Sequence, residues 1–154
     1  MRGLRARTRT KIDVAAVRLA SLDTSILVYA IDESQGVRFE AAQRLLQRAL
    51  DESWPIALQV LGEFYSVVTR KRMLGRKAAA QTVGAWQSLL TPCVGSTSAF
   101  AAAVGYATRT GAQFWDALIL ATCAENGVKT LYTEDIGPQR QALGVTLDNP
   151  FTGR

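Results

Sequence analysis

Two periods of apolar residues alternate along this chain. Short apolar runs bounded by turn residues read as strands, and longer stretches with an apolar residue every third or fourth position read as helices. A strand is expected over Ala20 to Asp23, then a short helix over Ile26 to Ile31. Val37 to Asp51 reads as a helix whose inner face is Phe39, Ala42, Leu46, Ala49 and Leu50, with Glu40, Arg44 and Arg48 outside. Pro55 to Leu58 reads as a strand. Gln59 to Arg72 reads as a helix turned inward on Val60, Leu61, Phe64, Val67 and Val68, and Arg76 to Leu90 as another turned inward on Ala79, Val83, Trp86 and Leu90. A weak strand over Pro92 to Val94 precedes a helix over Ser96 to Arg109, which opens on hydroxyl caps and stops before Gly111. The helix Gln113 to Glu125 is closed by Asn126-Gly127. The chain ends with a strand over Lys129 to Thr133, a short helix over Pro138 to Leu143 and a strand over Val145 to Leu147.

Short apolar strands alternating with amphipathic helices predict an α/β fold. The expected form is a three-layer α/β/α sandwich around a short, mainly parallel sheet. In such sheets ligands gather beyond the carboxyl ends of the strands. Acids at that edge are therefore the residues to look for.

Composition narrows the chemistry. The chain has 154 residues and no histidine, which excludes Ser-His-Asp and Cys-His catalysis and histidine-bound zinc. Cys93 and Cys123 have the spacing of neither a zinc site nor a disulfide framework, so a reduced, cytoplasmic setting is expected. No apolar run is long enough for a membrane span, and no secretory signal is evident. The net charge of +5 is concentrated at the start, where Arg2, Arg5, Arg7, Arg9, Lys11 and Arg18 face Asp13 alone. Residues 1–19 thus read as a basic arm, either a disordered tail, an upstream extension from a misassigned start, or a contact to phosphates. Residues 20–154 read as the folded domain.

Four acids interrupt apolar surroundings. Asp23 follows the first strand in LDTSILVYAID. Glu63 lies in VLGEFYSVV at the edge of a helical core face. Asp116 lies in the first turn of FWDALILA, and Asp135 follows the strand KTLYT. Each has a plain alternative. Asp23 and Asp135 could cap the helices after them, Asp116 could complement a helix dipole, and Glu63 could pair with Arg70 or Arg72. Together they are acids from four elements that a sandwich of this kind brings to one edge. Such a cluster needs protonation or a bound cation to relieve its repulsion. Carboxylate oxygens suit magnesium or manganese, and two metals about 4 Å apart would serve phosphoryl chemistry.

In this ordered set the chain resembles the PIN domain family, and within it the VapC-type ribonuclease toxins of toxin–antitoxin pairs. The resemblance rests on LDTSILVYAID, Glu63 in LGEFYSVVTRK, FWDALILATC and LYTEDI, with VTLDNPF resembling the family's last strand. It implies a metal-dependent endoribonuclease using Mg2+ or Mn2+, a homodimer, and a cognate antitoxin that blocks the acidic pocket. Carried across, Asp23, Glu63, Asp116 and Asp135 match the acidic quartet as catalytic residues and metal ligands. Thr24, Ser25 and Thr133 match supporting hydroxyls that hold carboxylates or waters in place. Of the adjacent acids Glu134 and Asp135, the motif selects Asp135.

An RNA substrate needs cationic contacts. Arg70, Lys71, Arg72, Arg76 and Lys77 form a basic run at a helix junction, readable as a backbone-binding patch or as a solvated turn. Trp115 would stack on a base or, as is commoner at a helix start, pack into the core. Asp32 is expected to face water or cap a turn. Two other readings stand beside the nuclease: a non-catalytic PIN-like RNA-binding module, and a phospho-acceptor receiver domain. The latter would want an acidic pair after the first strand, where this chain offers one acid.

Overall fold

A computed structural model describes residues 19–135 and 140–152. The basic arm lies outside the described residues but for Leu19.

The chain order is β1 (Ala20–Leu22), α1 (Thr24–Tyr29), α2 (Val37–Asp51), β2 (Pro55–Ala57), α3 (Leu58–Arg70), α4 (Arg76–Leu89), β3 (Thr91–Cys93), α5 (Thr97–Thr110), α6 (Phe114–Glu125), β4 (Thr130–Tyr132), β5 (Gln141–Ala142) and β6 (Val145–Asp148). The helix and strand boundaries fall within a few residues of those the periodicity predicts. A short 3-10 turn at Glu33–Gln35 separates α1 from α2. Asp32 caps it, accepting a hydrogen bond from Ser34 N at 3.2 Å.

The strands form two hydrogen-bonded groups, β1-β4-β6-β5 and β2-β3. β1 pairs with β4, β4 with β6, and β2 with β3, all parallel. One face of the large sheet carries α6, a helix apolar on every side, with Ala117 and all of residues 119–123 buried. An element buried all round must be central. It sits between the sheet and α5, and α5 approaches closely because the seam is Ala99 and Ala103 against Ala117 and Ala121. On the other face Tyr132 stacks on Trp54 with ring centroids 5.9 Å apart. Phe64 and Trp86 extend that core through α3 and α4, at 4.7 Å between centroids.

One predicted element is corrected. The helix expected over Pro138 to Leu143 is a strand where it is described. Gln141–Ala142 pairs antiparallel with Val145–Thr146 across the two-residue turn Leu143-Gly144. Both turn residues have positive φ, 52° and 77°. That is the backbone a tight hairpin needs to match strand twist. Leucine gives no signal of a left-handed position, so the turn is hidden in the sequence. Pro138 and Gln139 lie outside the described residues.

Candidate metal centre

Asp23 sits where β1 hands over to α1. Its backbone N donates to Tyr132 O at 2.9 Å, extending the parallel ladder one residue past the strand. Its carboxylate does two things there. Oδ1 accepts from Thr24 N at 2.7 Å, so Asp23 does cap α1. Oδ2 accepts from Thr133 Oγ1 at 2.7 Å, tying the end of β1 to the end of β4. The capping role and the site role are therefore compatible.

Asp23, Asp116, Thr133 and Asp135 line one recess of about 40 Å3, closed below by Ile119, Leu120, Leu131 and Leu147. Asp23 is partly buried, while Asp116 and Asp135 stand exposed on the rim. Asp116 reaches the edge because α6 begins there. Asp135 is held by its own strand end, its N–H donating to Thr133 Oγ1 at 3.1 Å.

Glu63 does not line the recess, but it stands close enough to act on Asp23 and Asp116 through its charge. It accepts from Thr24 Oγ1 at 2.9 Å and from Gln59 Nε2 at 2.7 Å. The expected pairing of Glu63 with Arg70 or Arg72 is not found. Gln59 was missed by sequence reading. It lies one helical turn before Glu63, the spacing at which a glutamine amide meets an acid, and it also donates to Trp115 O at 3.1 Å. It thus joins the start of α3 to the start of α6.

The three hydroxyls divide their work. Thr24 holds Glu63 and Thr133 holds Asp23. Ser25 holds backbone rather than a carboxylate, accepting from Glu134 N at 3.3 Å. Glu134 turns away from the recess. Its carboxylate accepts from Tyr29 Oη at 2.6 Å and pairs with Arg38 at 2.9 Å. This Tyr29–Glu134–Arg38 link anchors the loop that carries Asp135, and nothing local in the sequence signals it.

The basic run is not brought to the recess. Arg70, Lys71 and Arg72 lie at the far end of α3, roughly 10 Å of helix rise beyond Glu63, and all five basic side chains are exposed. Trp115 is also corrected. It is 61% exposed, edge-on to Phe114 at 5.1 Å, and Phe114 is the first-turn ring that packs against the α5–α6 seam.

Burial, with added repulsion from Asp116 and Glu63, pushes the Asp23 carboxyl up to about 6, against the lowering effect of its bonds from Thr133 and Thr24. Asp116 is also raised, by burial first and then by Asp135 and Glu63. A set of oxygen donors that repel one another around a space sized for an ion and a few waters fits a hard divalent cation. Among the described residues no three acids close into a ready-made metal cage. Asp23, Asp116 and Asp135 are the residues that would hold such a cation, with Glu63 alongside.

The same architecture recurs in known structures. The chain is similar to the Mycobacterium tuberculosis toxin VapC20, described as a sarcin-ricin loop cleaving toxin, with a TM-score of 0.59, 20% identity, and coverage of 75% of this chain and 91% of that one. VapBC2 from Rickettsia felis, bound to a promoter DNA fragment, aligns with a TM-score of 0.64 and 19% identity, over 85% of this chain and 98% of that one. A toxin–antitoxin complex from Klebsiella pneumoniae aligns with a TM-score of 0.59 and 21% identity, over 86% and 98%. No curated protein sequence matches the chain. The family model described as the PIN domain matches residues 20–142. That span takes in β1 with Asp23, both helical acids and the Thr133–Asp135 edge, and the chain belongs to the PIN domain family.

Proposed function

We propose that this protein is a metal-dependent endoribonuclease that hydrolyses RNA phosphodiester bonds, and that it is the toxin of a VapBC-type pair. One observation carries the reading: Asp23, Asp116 and Asp135, from three separate elements, converge on one small recess at the carboxyl edge of a parallel sheet. The PIN family match supports nuclease chemistry, and the toxin–antitoxin structures it resembles support a cognate antitoxin. A homodimer is part of the same proposal. Among the described residues no helix is long and apolar enough to cross a membrane.

Bound Mg2+ or Mn2+ would lower the pKa of an attacking water and offset charge gathering on the phosphate. The protein's own contribution is orientation. Thr133 and Thr24 N hold the Asp23 carboxylate in one rotamer, and Thr24 and Gln59 hold Glu63. The apolar floor restricts water to the side from which a phosphate would approach. Placed at the edge of this space, Glu63 is suited to accept a proton from water or to hold a second cation.

Attack by water in line with the 3′ oxygen leaves 5′-phosphate and 3′-hydroxyl ends. End-labelling of cleaved RNA tests this. A 2′,3′-cyclic phosphate would mean attack by the 2′-hydroxyl and would overturn the mechanism. Co-purification of the protein with the product of a neighbouring small gene, and loss of cleavage in that complex, tests the antitoxin.

A further inference from the structure

Consecutive residues of an extended strand point to opposite faces of the sheet. Leu131 and Thr133 line the acidic recess, and Tyr132 between them lines a different cavity, of about 500 Å3. β6 repeats the pattern, with Leu147 on the recess and Asp148 on the second cavity. The pairing of Leu131 with Leu147, and of Tyr132 with Asp148, makes this two-strand segment a common wall. The two cavities stand back to back across the edge where the acids lie.

The second cavity lies between α2 and the chain after β6. Its polar lining includes Arg38, Arg44, Asp148 and Asn149, and its aromatic lining is Tyr132 and Phe151. Its volume falls in the range of small-ligand sites, about 300–1,000 Å3. Arg38 is committed to Glu134 and lies over the Tyr29 and Phe151 rings at 5.5 and 6.0 Å. Arg44 is different. Among the described residues it has no hydrogen-bond or ion-pair partner. It also borders an adjoining recess of about 290 Å3 beside Arg48, and Arg48 is taken by Glu52 at 2.9 Å.

An unpaired guanidinium facing a polar cavity presents a planar fork of donors that matches phosphate oxygens. The crest between the cavities is the Thr133–Asp135 loop, where Glu134 is ion-paired with Arg38 and accepts a hydrogen bond from Tyr29, so it does not stand there as a free charge. Asp148 is a carboxylate on the cavity wall, which favours a phosphate position on the α2 side. A single strand that crossed this crest from the recess would pass onto the second cavity.

Resting on the ribonuclease reading, we propose that the α2 cavity is a subsite for a nucleotide flanking the cleaved bond of RNA, with Arg44 as its phosphate contact. The test uses full-length Asp116→Asn protein, which by this account does not cut, and fluorescein-labelled single-stranded poly(U). Anisotropy titrations run across a series of salt concentrations. Arg44→Ala is expected to weaken binding about five- to tenfold. It should also lower the slope of log K against log salt by about 0.7, the value for one lost phosphate contact on a single strand. Arg70→Ala, in the distant basic run, should do less. Arg44 is exposed, so melting curves should match those of the parent. If the parent binds poly(U) and wild type cuts RNA while Arg44→Ala and Arg44→Glu bind like the parent, the subsite is wrong and the ribonuclease reading stands. If wild type neither binds nor cuts RNA with any metal, both fall. If Arg44→Glu abolishes binding of polyglutamate and spares poly(U), the cavity belongs to an acidic polypeptide and the proposal is overturned.

Discussion

Thr133 Oγ1 donates to Asp23 Oδ2 at 2.7 Å across 110 residues of chain. One hydroxyl thus fixes the partly buried carboxylate on the wall of the recess and, by accepting from Asp135 N, the turn that carries an acid on the rim. Replacing it by an isosteric apolar side chain removes both bonds. Thr133→Val is expected to weaken Mn2+ binding about 10- to 100-fold, the usual cost of losing a group that orients a ligand. Calorimetric titration of Mn2+ into the variant checks this, with circular dichroism to show that the fold is kept.

The Asp23 carboxyl, raised from 3.8 to about 6, makes a pH prediction for metal-free protein. The folded state holds this proton more tightly than the unfolded chain, so folding is favoured at low pH. That advantage is full below about 3.8 and is lost as pH rises through about 6. The loss is of the order of 2–3 kcal/mol. Chemical denaturation in EDTA at pH 4.5 and 7 should show Asp23→Asn flattening this part of the profile. Mg2+ should restore stability at pH 7 more than at pH 4.5, where it competes with the proton.

Gly95 supports the site from outside. A Cβ at this position would lie 2.6 Å from Thr122 Oγ1, and Thr122 is buried on α6, the helix that presents Asp116. Gly95→Ala is expected to cost about 1–3 kcal/mol as the loop or helix shifts. Gly84→Ala, with open space around its Cβ and a helical backbone, should be neutral or stabilising. Urea midpoints of the two variants make the comparison.

Both cysteines are buried and free, and burial pushes the Cys123 thiol up to about 12. The nucleophile is the thiolate, so neither thiol should react with iodoacetamide in the folded protein at pH 8, and both should react in urea. Mass spectrometry reads the modification. Rapid labelling of Cys123 in native buffer would contradict the packing of α6 against the sheet.

The sequence was most legible where a residue's role depends on its own element. Apolar period located α2, α3 and α6, and Asp116 needed only the start of an apolar helix. The choice of Asp135 over Glu134 followed from the motif, and the two side chains do part as neighbours on extended chain must. What stayed hidden depends on distant parts of the chain or on backbone that side chains do not advertise. Leu143 adopts φ 52° in the β5–β6 turn, so a hairpin passed for a helix. Trp115 is exposed while its neighbour Phe114 packs against α5, and no local pattern says which of two adjacent rings turns inward. The Tyr29–Glu134 bond spans 105 residues. Gln59 was within reach, since its spacing from Glu63 is a helical turn.

On the proposed function, three converging aspartates hold a divalent cation that RNA cleavage requires. The most direct measurement incubates purified protein, freed of any bound antitoxin, with total cellular RNA in Mg2+, Mn2+ or EDTA, beside Asp23→Asn, Asp116→Asn and Asp135→Asn. Each variant keeps its shape and loses a charge. Wild type is expected to make discrete cuts only with metal, and each folded variant to lose at least about 100-fold, the scale of about 3 kcal/mol of lost transition-state stabilisation. Cleavage undiminished in EDTA, or variants that cut as well as wild type, would contradict it.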